Sequence, residues 1–109
     1  MENDRPDADQ ILWTPSDQDI DRSRLFAFMS ANDIDDFDTL MDRSTADVAW
    51  FTDALIRFLG IRFTVPYERS VDLDPTDWKR PVWCPGGRMN ITASCLDRWI
   101  EDEDTAQRL

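Results

Sequence analysis

Apolar residues along the chain are spaced for helices in three stretches and for a strand in one. Trp13-Thr14-Pro15-Ser16 reads as an anchor followed by a helix start. The Ser16 hydroxyl can accept from free backbone N–H groups, and Asp17 and Asp19 suit the positive end of a helix. Ile20, Leu25, Phe28 and Met29 carry the pattern on, so the spacing predicts one helix over 16–31. A polar break at 31–36 precedes a short apolar face of Phe37, Leu40 and Met41. Ser44 with Asp47 three residues on resembles a capping box for the next helix. There Val48, Phe51, Leu55, Phe58 and Leu59 fall on one side, and Gly60 is placed to end the helix in the left-handed conformation. Residues 61–65 alternate at period two and stop at Pro66, which predicts a short extended segment, an edge or a lone strand.

Residues 67–87 carry Pro75, Pro81, Pro85 and the Gly86-Gly87 pair, so no regular element is expected and Trp78, Val82 and Trp83 are expected to fix the segment. Asn90 or Thr92 can cap a last helix, with Ile91, Cys95, Leu96, Trp99 and Ile100 on one side, running to about Glu103. The expected fold is mainly α: a small helical domain of three or four helices, a short extended segment and a Pro/Gly/Trp-rich irregular connection. Residues 1–10 are expected to be a flexible acidic leader, 11–105 the domain, and 106–109 a tail or the start of a linker to a missing domain.

Composition narrows the chemistry. Leu, Ile, Val and Phe supply 25 of 109 residues, just above the level at which a charged chain stays unfolded, and five Trp add to the core. With 23 acidic against 12 basic side chains and a net charge of -11, direct binding to nucleic acid or to an anionic membrane is disfavoured, while a basic partner stays open. The acids are 19 Asp and 4 Glu, and the bases are 11 Arg with Lys79 alone, a bias typical of salt-adapted or GC-rich coding. No apolar run approaches a membrane span, and Met1 to Gln10 is acidic where a signal peptide is basic and then apolar, so a cytoplasmic protein is expected.

The absence of His removes Ser-His, Cys-His and His-ligated metal chemistry. Cys84 and Cys95 have no CxxC partner and are expected as reduced thiols, which makes the Asn90-Ile91-Thr92 sequon incidental. Asp17, Asp19 and Asp21 match the first ligand positions of a calcium loop, but Arg22 replaces its Gly and Phe28 its final Glu. Asp33, Asp35, Asp36 and Asp38 fail because Phe37 takes the third ligand position. Gly86-Gly87-Arg88 fits neither phosphate-loop pattern and marks a turn. Trp78, Trp83 and Trp99 read as structural before they read as a ligand platform.

The order of segments carries a resemblance. Trp13-Thr14-Pro15-Ser16, the element from Ser44 to Phe51, Pro85-Gly86-Gly87-Arg88-Met89-Asn90 and Cys95-Leu96-Asp97-Arg98-Trp99 together resemble the N-terminal region of AMP-forming acetyl-CoA synthetases and their propionyl- and acetoacetyl-CoA relatives, over nearly the whole chain. Met89 stands where that family usually has Leu, Ser94 where it often has Asn, and Trp99 where many acetyl-CoA synthetases have His, which favours a broader acyl-CoA synthetase relative. The resemblance implies a whole enzyme that makes an acyl-adenylate from a carboxylate and ATP, then transfers the acyl group to CoA, with ATP, Mg and CoA as its cofactors. It implies no catalytic, cofactor or metal residue in these 109 positions, because the phosphate loop, nucleotide contacts and catalytic Lys belong to later parts of such enzymes. It also implies a partner, the adenylate-forming domain of the same or a companion chain, and a docking surface expected at Trp83, Met89, Leu96 and Trp99. The alternative expectation is a stand-alone acidic interaction protein that binds a basic partner.

Overall fold

The computed structural model describes residues 11–77 and 79–107. It is about 52% helical with a small two-stranded sheet, a mainly α fold. The expected leader at 1–10, Trp78 and the last two residues lie outside the described residues.

The helix predicted over 16–31 is two helices, α1 (Asp17–Asp21) and α2 (Arg24–Ala31). Ser16 caps α1 in a full capping box: the Asp19 N–H donates to Ser16 Oγ at 3.3 Å, and the Ser16 N–H donates to Asp19 Oδ2 at 3.1 Å. The break comes at Ser23, whose Oγ accepts from the Phe26 N–H at 3.0 Å and starts a second helix with its own cap. A second capping residue inside an apolar pattern thus stops one helix and starts another.

Asp36 caps α3 (Phe37–Ala46), its carboxylate accepting from the Thr39 N–H at 2.8 Å. This helix runs through Ser44, so the expected Ser44 capping box is not formed. Ser44 and Thr45 instead donate their hydroxyls back to the Met41 carbonyl, at 3.1 and 2.7 Å. Asp47 is the cap of α4 (Val48–Leu59), accepting from the Trp50 N–H at 2.9 Å. Gly60 ends α4 in the left-handed conformation at φ 63°, where any other L residue is strained.

Helices α2, α3 and α4 share one small core of Phe28, Met29, Ile34, Leu40 and Ala54, with Phe51, Leu55 and Phe58 packed against it. The Phe28 ring meets Phe51 and Phe58 edge-on at 5.9 and 5.3 Å between centroids, the arrangement favoured by ring quadrupoles. The Arg43 guanidinium lies 3.7 Å over the Trp50 ring and covers its face.

Residues 61–65 do not build a strand: Val65 forms a single antiparallel bridge with Arg88. The segment 67–87 is more ordered than its Pro and Gly content suggests. β1 (Val71–Asp72) pairs antiparallel with β2 (Val82–Trp83), in the register Val71 to Trp83 and Asp72 to Val82. Backbone and hydroxyl bonds hold this segment. The Glu68 N–H donates to the Pro85 carbonyl at 2.9 Å, the Cys84 N–H to the Ser70 carbonyl at 2.9 Å, and Ser70 Oγ to the Ala49 carbonyl of α4 at 3.0 Å. The Trp83 ring is instead half open to solvent.

Asn90 opens the last helical stretch, accepting from the Thr92 N–H at 3.1 Å. A π turn (Ala93–Asp97) leads into α5 (Arg98–Glu101), and the chain breaks at Asp102 before α6 (Glu103–Ala106). The break has the same origin as that at Ser23. Asp102 has extended backbone and accepts from the Asp104 N–H at 3.1 Å, starting a new turn where the pattern predicted continuation.

Candidate docking surface

The C-terminal half is tied to α4 by side chains from both directions. Ser94, buried in the π turn, accepts from the Arg62 N–H at 2.9 Å. Arg98 sends Nη1 to the Leu59 carbonyl at 2.6 Å and to the Gly60 carbonyl at 3.2 Å. Its positive charge therefore sits on the negative end of α4 and satisfies carbonyls that the helix itself leaves free. Arg62 pairs with Glu101 at 2.8 Å across the same junction. Arg98 Nε is buried without a hydrogen-bond partner among the described residues, and the guanidinium lies 4.4 Å over the Trp99 ring.

Tyr67 joins the loop to α4 by donating its hydroxyl to Asp53 Oδ1 at 2.6 Å. That bond, with burial and the Asp53 charge behind it, pushes the phenol up to about 12. Burial, and then the charge of Asp53, also raises the Cys84 thiol, which holds it protonated and unreactive at neutral pH. Both cysteines are free thiols. The Gly86-Gly87 turn lies against this junction. A Cβ on Gly87 would stand 3.0 Å from the Cys84 carbonyl, the Phe63 ring and Tyr67, tighter than ordinary packing, so these neighbours would have to give by a few tenths of an ångström.

The four residues expected to dock a larger domain are all exposed: Trp83 by 52%, Met89 by 41%, Leu96 by 60% and Trp99 by 43%. Trp83 is on β2, Met89 follows the bridge residue Arg88, and Leu96 and Trp99 stand three residues apart on the last helical stretch. A shallow cleft of about 330 Å³, lined by Phe58, Arg62, Arg98 and Asp102, takes in Trp99 and none of the other three. Ile91 and Ile100 add exposed apolar surface to the same half.

Three features escaped the sequence pattern. Among the described residues, Ser70 and Ser94 are the buried polar residues, Ser70 pinning the loop to α4 and Ser94 pinning the last helix to the segment that follows α4, and Arg98 is the clamp. Ser and Arg in irregular segments read as solvated by default, and only the positions of their acceptors reveal them. Among the described residues no group of acidic or Cys side chains is placed to hold a metal ion, and no helix is long and apolar enough to cross a membrane. Comparison with protein-family models, curated proteins and solved structures finds no match.

Proposed function

We propose that the chain is the N-terminal packing domain of an AMP-forming acyl-CoA synthetase, in which it carries no catalytic group and covers part of the adenylate-forming domain. The observation that carries this reading is that Trp83, Met89, Leu96 and Trp99 are all exposed, with Met89, Leu96 and Trp99 inside two of the four family-like segments and Trp83 just before them. A chain that leaves large aromatic residues open in this way presents an interface. The Arg98 clamp and the Ser94 contact then serve to hold the last helix at a fixed place on α4, so that its apolar residues meet the larger domain in one orientation. ATP, Mg and CoA bind the partner domain in this reading, and so does the carboxylate substrate.

The test is carboxylate-dependent exchange of pyrophosphate into ATP with acetate, propionate or acetoacetate. The isolated chain is expected to give none. Added to an acyl-CoA synthetase lacking its own N-terminal region, it is expected to raise that protein's thermal midpoint. Exchange by the isolated chain, or no effect on the truncated synthetase, overturns the reading.

A further inference from the structure

A second open surface lies on the helical half. Two depressions of about 500 and 520 Å³ flank α2. They share Leu25 and Phe37 in their walls, which makes them one trough: Trp13, Ile20 and Phe26 line one end, and Met41, Phe51 and Leu55 the other. The walls are apolar almost throughout, yet Leu25 is 46% and Phe37 53% exposed. Helices α2, α3 and α4 thus bury one side of their apolar faces against one another and, among the described residues, leave the other side without a fourth element.

Charge decides what fits there. The end at Trp13 is lined by Asp19, Asp35 and Asp36 with no basic residue, whereas the end at Phe51 carries Arg24 alone, its guanidinium 4.6 Å over the Phe58 ring. Hydrogen bonds from Ser16 to Asp19 and from Thr39 to Asp36 lower both carboxyls below the usual range, so this end is anionic at neutral pH. Residues 1–10 are poor occupants, since they hold four acids and no apolar pattern. A second copy brings another net charge of -11 to an acidic rim.

We propose that this trough docks an amphipathic helix of a partner protein, apolar along one stripe and carrying Lys or Arg at the end that meets Asp19, Asp35 and Asp36. The apolar stripe supplies affinity by covering Leu25, Phe26 and Phe37, and the acidic rim sets the direction in which the helix lies. The trough meets the cleft beside Trp99 at Arg24, Phe58 and Leu59 but contains none of Trp83, Met89, Leu96 and Trp99, so failure of this proposal leaves the reading of those four residues untouched.

The probe is a synthetic helix of about 14 residues, about 21 Å long, with Leu at helical spacing and Lys gathered at one end. Its controls are a scrambled peptide of the same composition and the same stripe with Glu replacing Lys. Binding to the full chain is read by calorimetry and by the shift in Trp emission. The stripe peptide is expected to bind at least about tenfold tighter than either control, about 1.4 kcal/mol. Phe37→Ser is expected to remove most of that margin, and Asp35→Asn with Asp19→Asn to reduce both the margin and its salt dependence, with helix content checked by circular dichroism. Equal binding of the scrambled peptide shows charge attraction alone, and equal binding of the Glu peptide shows apolar contact alone; either overturns the proposal. So does a concentration-dependent dimer in the ultracentrifuge that Phe37→Ser dissolves and the peptide fails to displace.

Discussion

Replacing Arg98 by Met tests the joint between the two halves. The substitution keeps a long apolar stem and removes the guanidinium that bonds the Leu59 and Gly60 carbonyls at 2.6 and 3.2 Å. A charge-assisted hydrogen bond contributes about 1.5 to 3 kcal/mol, and exposure of these carbonyls places the pair together near about 2 kcal/mol, helix-end charge included. The contact over the Trp99 ring adds about 0.5 kcal/mol. Against this, Arg98 Nε is buried without a partner, and removing such a donor returns about 1 kcal/mol. The net expectation is a loss of about 1.5 kcal/mol, or a midpoint lower by roughly 1 M in urea unfolding followed at 222 nm. Arg98→Lys separates the two effects: an ammonium still reaches the carbonyls and has no Nε, so its midpoint is expected within about 0.3 M of the parent. A Met variant that unfolds with the parent refutes the clamp. A Lys variant as unstable as the Met variant refutes the charge contribution, since both lack Nε and differ only in the cation that can reach the carbonyls.

Three further outcomes follow from the same contacts. The sequence contains a single Tyr, so absorbance at 295 nm reports Tyr67 alone and is expected to titrate at about 12, with Asp53→Asn bringing the midpoint back toward 10. Because the folded phenol titrates above its unfolded value, its contribution to stability is fully present below pH 10 and is lost as pH rises through about 12, which alkaline unfolding curves of parent and Asp53→Asn can compare. Asp47→Ala is expected to cost about 1 kcal/mol in thermal or urea unfolding and Ser44→Ala under about 0.5, the reverse of what a Ser44 capping box requires. The ion pairs are exposed and contribute little, while 23 acidic side chains repel one another, so the thermal midpoint is expected to rise between low and moderate NaCl; a flat or falling midpoint contradicts this.

Helix existence was legible in the spacing of apolar residues, and the helix ends were legible where the signal was unambiguous. Gly60 is the clearest case, since the left-handed turn that ends Val48–Leu59 suits Gly and strains other residues. The misplaced boundaries share a cause. Ser23, Asp47 and Asp102 are each capping residues that compete with helix continuation, and periodicity is blind to that competition because it counts only apolar positions. Ser44 reads in the sequence as the cap with Asp47 as its partner acid, whereas α3 continues through Ser44 to Ala46 and Asp47 itself caps α4.

Trp83, Met89, Leu96 and Trp99 are exposed, as a docking role requires, but the contacts that hold their segments in place are not visible in the sequence. Ser70, Ser94 and Arg98 owe their roles to acceptors and donors some 21 to 39 residues away, and no local pattern encodes those pairings. The trough on the helical half was hidden for a different reason. The apolar stripes of α2, α3 and α4 are wider than the faces they bury against one another, and sequence alone treats every apolar position on a helix as core.

Hydrogen exchange of the chain, alone and mixed with an AMP-forming acyl-CoA synthetase lacking its N-terminal region, tests the central claim most directly. Proposed docking through Trp83, Met89, Leu96 and Trp99 predicts a one-to-one complex in which backbone amides of residues 82–101 slow by about tenfold or more, about 1.4 kcal/mol of added protection. Amides at 24–46, along the trough, are predicted to keep their rates. No complex, or protection confined to 24–46 while 82–101 exchanges as in the free chain, contradicts the account.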